Sequence, residues 1–149
     1  MKKQLLILLF IFLSASLLSF AQSSSVKVVD LFAKSLFKRD STGKVDTTKA
    51  NVLVNFKISD IKSVNKVTIL FGSVKDSSDV LNQEAYPGLN QNAYYLNYNG
   101  IVKPLLANIE TSYIYPFTMS QWKKIQYITV YITDLTGLSS QRIYFQKNF

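Results

Sequence analysis

The chain has 149 residues, with 17 Lys and Arg against 9 Asp and Glu, a formal net charge of +8, and no His or Cys. Without His and Cys there can be no Ser-His-Asp or Cys-His nucleophile, no zinc site of ordinary ligands, no haem attachment and no disulfide. The length fits one domain, or one domain with a targeting segment.

The N-terminus has the organisation of a secretory signal peptide. Two lysines precede an apolar run, Leu5–Leu13, and small residues stand two apart at Ser19 and Ala21. A spanning helix needs about 20 apolar residues, so cleavage after Ala21 is favoured over an uncleaved anchor. We therefore expect residues 1–21 to be removed as a cleaved secretory signal peptide. Residues 22–149 would then form the mature domain, with no integral membrane segment left.

Export and the missing Cys together point to a bacterial envelope, because small animal secreted domains usually depend on disulfides. We expect a periplasmic, outer-membrane-associated or secreted protein. The mature chain keeps a basic balance, but its lysines are dispersed along the sequence, which is typical of a solvated surface. We expect no nucleic-acid partner. For an exported basic protein, the expected anionic partner is a polysaccharide, a membrane surface or an acidic protein patch instead of a nucleic acid.

The first half of the mature chain reads as strands separated by turns. Val26–Phe37 is predicted as a strand with a bulge rather than an imperfect helix, and Asp40–Lys44 as a turn. Val52–Ser59 alternates most clearly, the period-two pattern of a half-buried strand. Its predicted buried face consists of Val52, Val54, Phe56 and Ile58. Lys66–Val74 is apolar on both faces, which predicts a central strand, and Lys75–Asp79 is a polar loop.

The middle of the chain predicts a hairpin within Ala93–Leu106. Asn99-Gly100 between β-formers is the strongest short-range hairpin signal, because both turn positions need a positive φ. Pro104 then ends the return strand or confines it to a sheet edge. Thr111–Tyr115 is predicted as a strand, with a short helix opened by Pro104 as the alternative in this region.

The last third predicts one helical turn and two strands. Ser120 would cap the helical turn, which ends at Lys124. Ile125–Thr133 alternates as a strand, Asp134–Gly137 turns the chain, and Gln141–Phe145 closes the fold. The sequence therefore predicts an all-β fold, a single antiparallel β-sandwich of about seven strands.

The order of these elements resembles the immunoglobulin-like β-sandwich domains of bacterial (Bacteroidota-type) envelope or secreted proteins. The resemblance lies in Val52–Ile58 with its polar link to Val67–Phe71, in the helical turn Gln121–Lys124, and in the closing hairpin that begins at Tyr127. That hairpin strand ends in Asp-x-x-Gly, which is common in such domains. Residues 75–110 depart most from the pattern. The Cys…Trp…Cys framework of antibody domains is absent, so the resemblance implies an immunoglobulin-like architecture and nothing more.

A small outer-membrane β-barrel is the alternative fold, since the chain ends in the aromatic Phe149. Eight strands of about 9–11 residues with their turns would exhaust the mature chain. Lys147 would also share the lipid-facing parity of Phe145 and Phe149. Both arguments favour the sandwich.

The nine carboxylates suggest no catalytic pair, because most stand beside Ser, Thr, Lys or Gly in turns, where Asp bonds to the backbone. Asp76, Asp79 and Glu84 could gather a calcium ion, but their segment lacks the Asp-rich alternation and central Gly of a known loop. We therefore predict no enzyme activity, no metal and no cofactor.

One segment has an unusual composition. Residues 82–99 hold seven Asn or Gln and four Tyr among 18 residues. Tyr offers rigid contact area and amides offer adaptable hydrogen bonds, as in an antibody paratope. Asn and Tyr are also ordinary turn and strand residues, which is the commoner explanation of such a segment. A lone Trp on a turn beside two lysines is more often a plug over the sandwich end than an exposed platform. The candidate binding residues are Tyr86, Asn90, Asn92, Tyr94, Tyr95, Tyr98 and Trp122.

The sequence thus predicts a non-catalytic exported binding or structural module that acts through protein–protein contacts in the cell envelope. Its partner would be another envelope or extracellular protein. The alternative is a carbohydrate-binding module that uses the Tyr/Asn/Gln-rich segment to hold a glycan.

Overall fold

The computed structural model describes residues 23–90, 93–98, 101–104 and 106–148, and it describes side chains outside 89–104. The predicted signal peptide and the Asn99-Gly100 turn lie outside the described residues. Within them the chain forms nine strands and one short helix. In chain order these are β1 Val28–Leu36, β2 Lys49–Ile58, β3 Val64–Gly72, β4 Leu81–Asn90, β5 Ala93–Tyr98, β6 Ile101–Pro104, β7 Thr111–Thr118, α1 Met119–Lys124, β8 Tyr127–Asp134 and β9 Ile143–Gln146.

The strands form two antiparallel sheets that pack as a sandwich. One sheet has the order β1-β2-β7, and the other has the order β6-β5-β4-β3-β8-β9. The predicted all-β sandwich is confirmed. Among the described residues each sheet ends in edge strands, so the fold has two open sheets instead of the single closed sheet that the alternative required.

Strand β2 supplies the centre of the core. The predicted alternation is confirmed, because Val52, Val54, Phe56 and Ile58 are fully buried. From the same sheet, Tyr115 and Phe117 of β7 reach across to the other sheet. Their rings lie 4.9 and 5.0 Å from the ring of Phe71 on β3. This aromatic cluster joins the two sheets.

Strand β3 is central in the six-stranded sheet, as its pattern predicted. It pairs with β4 on one side and with β8 on the other. Val67, Ile69 and Phe71 are buried in the core between the sheets, and Thr68 and Leu70, on the opposite face, are buried as well. Long side chains of the neighbouring strands therefore cover the outside of β3.

Strand β4 corrects the predicted count of about seven strands. No strand was predicted at Leu81–Asn90, because Pro87, Gly88 and several amides are poor strand formers. Only residues 81–85 of β4 pair with β3, so Pro87 lies beyond that ladder and removes no hydrogen bond from it. Pairing with both neighbours fixes the strand despite its composition.

The helix begins two residues earlier than predicted. Thr118, and not Ser120, is the N-cap of α1. The Thr118 hydroxyl accepts a hydrogen bond from the Gln121 amide at 3.2 Å, and the Gln121 side chain accepts one from the Thr118 amide at 3.0 Å. This reciprocal capping box satisfies two amides that the helix leaves unpaired. Because Ser120 lies within the helix, its hydroxyl cannot serve that purpose.

The sandwich has one covered side and one open side. On the covered side, the Phe32 and Phe145 rings lie 6.2 Å apart and join β1 to β9. On the open side, the edge strands β6 and β7 contain Pro104 and Pro116, a residue that sheets accept at their edges. In the described part of the chain, no helix has the length and hydrophobicity to cross a membrane.

Candidate functional site

The Tyr- and amide-rich segment leaves the sandwich as an antiparallel arm. Residues 81–85 of β4 pair with β3, whereas residues 86–90 pair with β5, which in turn pairs with β6. We call residues 86–104 the arm. Strands β5 and β6 pack mainly against β4 and each other. The backbones of Tyr86, Asn90, Tyr94, Tyr95 and Tyr98 all belong to its strands.

Tyr86 lies at the base of the arm, and it is the candidate of the arm whose side chain the structure describes. Its ring is 53% exposed. Its hydroxyl donates to Glu84 Oε2 at 2.6 Å, and Lys66 Nζ lies 2.7 Å from Glu84 Oε1. The hydrogen bonds from Lys66 and Tyr86 lower the pKa of Glu84, and the bond to Glu84 raises the pKa of the Tyr86 phenol. The carboxylate therefore holds the exposed ring in one orientation.

For the other arm residues the structure gives backbone positions. Tyr94 lies opposite Leu89, Tyr95 opposite Gly88, and Asn90 opposite Ala93. The side chains of Asn90, Tyr94, Tyr95 and Tyr98 lie outside the described part of the structure, as does Asn92. The fold thus brings the strand residues of the predicted segment onto one projecting element.

Trp122 is far from the arm and is only 8% exposed. It lies on α1 at the opposite end of β3 from the arm, against Lys147, whose ammonium is 3.9 Å from the centroid of the indole ring. This is the position of a plug over the sandwich end, one of the two roles predicted for it. Trp122 does not join Tyr86 in a common surface.

A second aromatic cluster escaped the sequence analysis. Tyr144 donates to Asp76 Oδ2 at 3.1 Å, and the Arg142 guanidinium lies 2.9 Å from Asp76 Oδ1. Lys75 stands 3.9 Å above the Tyr144 ring, and Arg142 stands 4.8 Å above Tyr131. Burial opposes the ionisation of Asp76, but the bonds from Arg142 and Tyr144 outweigh it and lower the pKa of this carboxyl. In the sequence, the alternation of Tyr127, Thr129 and Tyr131 was the signal that could have indicated this cluster.

The three carboxylates considered for calcium have separate partners. Asp76 pairs with Arg142, and Glu84 pairs with Lys66. Asp79 accepts hydrogen bonds from the Ser77 hydroxyl at 2.5 Å and the Ser73 amide at 2.8 Å, which lower its pKa to about 2. Over the described residues, no group of acidic side chains could hold a metal ion.

Other carboxylates close turns, as predicted. Asp40 accepts from the Thr42 hydroxyl and amide and from the Lys44 amide, and these bonds lower its pKa. Asp134 forms the same arrangement with Thr136 and Leu138. These side chains serve the local backbone.

Lysines that are dispersed in the sequence come together in the fold. The β1–β2 loop and α1 lie at the same end of the sandwich, where the Met119 amide donates to the Thr48 carbonyl at 2.9 Å. We call this the basic end. Its side chains are Lys34, Lys38, Arg39, Lys44, Lys49, Lys123 and Lys124.

Two adjoining clefts open at the basic end. One, of about 470 Å³, is lined by the loop around Arg39 and Lys44. The other, of about 300 Å³, extends towards Lys49 and Pro116. Lys38 and Asp46 line both clefts, so the two are neighbours. Basic side chains form most of the charged lining of both clefts.

No protein-family model, no curated protein and no solved structure gives a match to this chain. The features of the structure that bear on its function are the arm and the basic end.

Proposed function

We propose that the protein is a non-catalytic exported binding or structural module, which acts through protein–protein contacts in the bacterial cell envelope. The observation that carries this proposal is the arm, an antiparallel element that projects from the sandwich and bears an exposed, oriented tyrosine at its base. Aromatic side chains of this kind dominate the energetics of protein interfaces.

The composition of the arm supports this role. A solvent-facing tyrosine offers a large contact area with few rotatable bonds, so binding orders little that was free before. The hydrogen bond from Tyr86 to Glu84 restricts the ring further. A preorganised ring loses less entropy when a partner covers it. We take the arm as the binding surface and the sandwich, for which we propose an immunoglobulin-like architecture, as its rigid support.

A carbohydrate-binding role for the same arm is the competing proposal. Sugar rings present hydroxyls, which amides can bond, and apolar faces, which aromatic rings can cover. The exposed Tyr86 ring beside the Glu84 carboxylate offers both kinds of contact. The same experiment can separate the two proposals.

The experiment is an affinity capture from envelope extracts of the parent cells, combined with a glycan array. The unaltered protein is compared with Tyr94→Ala/Tyr98→Ala and with Tyr86→Ala. We expect one protein partner, recovered in a stoichiometric amount, that the arm variants no longer retain. The matched control is Tyr131→Ala, which removes a tyrosine outside the arm.

Melting temperatures of the variants distinguish binding from folding. If the arm tyrosines serve binding, their removal leaves the melting temperature nearly unchanged. A cost of about 3–5 kcal/mol for each ring would show that they are core residues, and the binding role would be lost. A saturable signal on the glycan array without a protein partner would favour the carbohydrate role.

A further inference from the structure

We propose that the basic end is a second binding site, separate from the arm, which holds a polysaccharide chain carrying anionic groups. The site consists of two neighbouring clefts, one within the β1–β2 loop and one between that loop, β2 and β7. Its cationic walls are Lys38, Arg39, Lys44 and Lys49.

The charges of the basic end are available to a ligand. Three basic side chains elsewhere form ion pairs: Lys57 with Asp30, Lys66 with Glu84 and Arg142 with Asp76. None of the described ion pairs involves a side chain of the basic end. In the clefts four cations, Lys38, Arg39, Lys44 and Lys49, face two carboxylates, Asp40 and Asp46. This leaves a local excess of positive charge, and such a surface attracts polyanions.

The two acidic residues of the clefts are engaged by their own turns. Asp40 Oδ1 accepts the hydroxyl and amide of Thr42 at 2.6 and 2.9 Å. Asp46 Oδ1 accepts the hydroxyl and amide of Thr48 at 2.6 and 2.8 Å. Their role is to shape the loop, and the shaped loop presents the cations on either side of it.

The shape of the loop is defined in detail. Gly43 has φ +82°, and its carbonyl accepts a hydrogen bond from the Arg39 guanidinium at 2.8 Å. Arg39 and Val45 also form an isolated antiparallel bridge across the loop. The folded turn thus fixes the backbone positions from which these cations extend, and a repeating polymer can match such an arrangement.

The chemistry of the walls favours a polysaccharide over a membrane or a protein. The loop tip, residues 39–44, contains no apolar side chain, whereas a segment that enters a lipid surface needs Trp, Phe or Leu. The clefts also lack the aromatic anchors that are typical of protein interfaces. They offer hydroxyl and amide groups instead, from Thr47 and Asn51. These suit sugar hydroxyls, while the cations suit the anionic groups.

The test measures binding of the full mature protein to polygalacturonate and to dextran sulfate, which separate carboxylate from sulfate recognition. Neutral dextran and phosphatidylglycerol vesicles are the comparison ligands. We expect binding to at least one polyanion that weakens as ionic strength rises. Lys38→Gln/Lys44→Gln should raise the Kd about tenfold, which corresponds to about 1.4 kcal/mol.

The matched control is Lys27→Gln/Lys62→Gln, because it removes the same charge from exposed lysines that form no described ion pair. It should change the Kd less than about twofold, which is under 0.5 kcal/mol. A second cleft pair, Arg39→Gln/Lys49→Gln, repeats the test if the first variant does not fold. Equal losses in cleft and control variants would overturn the proposal. So would binding to vesicles alone, equal binding to neutral dextran, or no binding to either polyanion.

Discussion

Lys147 Nζ donates a hydrogen bond to the backbone carbonyl of Trp122 at 2.6 Å while its ammonium lies 3.9 Å from the centroid of the same residue's ring. Both residues are buried, at 7% and 8% exposure. One side chain therefore fixes the end of α1 and covers the indole that closes the core. A buried ammonium loses solvation, and burial accordingly lowers the pKa of Lys147 to about 8.

This lowered pKa predicts how stability depends on pH. Unfolded lysine titrates at 10.5, so between pH 8 and 10.5 the unfolded chain binds more protons at this position than the folded one. The contribution of Lys147 to the free energy of unfolding should therefore rise with pH across that window, by up to about 3 kcal/mol.

Lys147→Met isolates this contribution, because it keeps the bulk of the side chain and removes the titration. Urea unfolding of both proteins at about pH 7 and about pH 10 gives the comparison. The unaltered protein should gain stability relative to the variant as pH rises. A constant difference would mean that Lys147 keeps an ordinary pKa.

The alternation of β2 makes a second prediction. Phe56→Asp or Val54→Asp places an unpaired charge at a position with 0% exposure. Because such burial costs several kcal/mol against a total stability of about 5–15 kcal/mol, the domain should unfold. Circular dichroism and thermal melting measure the loss.

Lys57 provides the neighbouring control, and the structure decides which substitution to use. Its ammonium lies 2.7 Å from Asp30 Oδ2. The alternation alone predicts that Lys57→Asp is tolerated. In the structure, however, that change would place a second carboxylate beside Asp30, so Lys57→Gln is the better control. It should leave the melting temperature nearly unchanged. If Lys57→Gln and Phe56→Asp were equally damaging, the assignment of faces would be wrong.

The capping box predicts different effects for two neighbouring hydroxyl residues. Thr118→Ala removes the acceptor for the Gln121 amide and should cost about 1 kcal/mol. Ser120→Ala lies inside the helix, where Ala is the better helix former. It should therefore change the free energy of unfolding by only a few tenths of a kcal/mol. Chemical denaturation of both variants measures the difference, and a reversed order would place the cap at Ser120.

Gly72 gives a fourth prediction. A Cβ at this position would lie 2.7 Å from the Ser77 carbonyl carbon, closer than such atoms approach, so the backbone would have to move. Gly72→Ala should therefore destabilise by about 3 kcal/mol or more. Gly43→Ala, which meets no neighbouring atom but has φ +82°, should cost only about 1–2 kcal/mol. Equal costs would show that the loop after β3 adjusts freely.

How far the sequence predicts this fold depends on how each strand is stabilised. The hydrophobic pattern of β2 and β3 was sufficient to predict both strands. One face of β2 and both faces of β3 are buried, and buried positions favour apolar residues. Strand β4 was missed because its pairing with β3 and β5, and not its own propensities, stabilises it. Tertiary pairing overrides local preference in such a strand.

The same limit applies to the candidate sites. The composition of residues 82–99 marked the segment of the arm, but only the fold shows that it projects from the sandwich. The basic end has no local signal, because Lys38 and Lys124 are far apart in sequence and an antiparallel connection brings their segments together. Dispersal along a chain is therefore a poor measure of dispersal in space.

The prolines at the open side of the sandwich restrict how another molecule can join it. Strand β7 is a free edge, and a foreign strand laid beside it would meet Pro116, which has no amide proton to give. The short edge strand β6 ends in Pro104, which also lacks an amide proton. Extension of either sheet from chain to chain would leave a gap in the new ladder, and this discourages fibres. At these two edges the backbone makes a poor template, so a partner that docks there must recognise side chains.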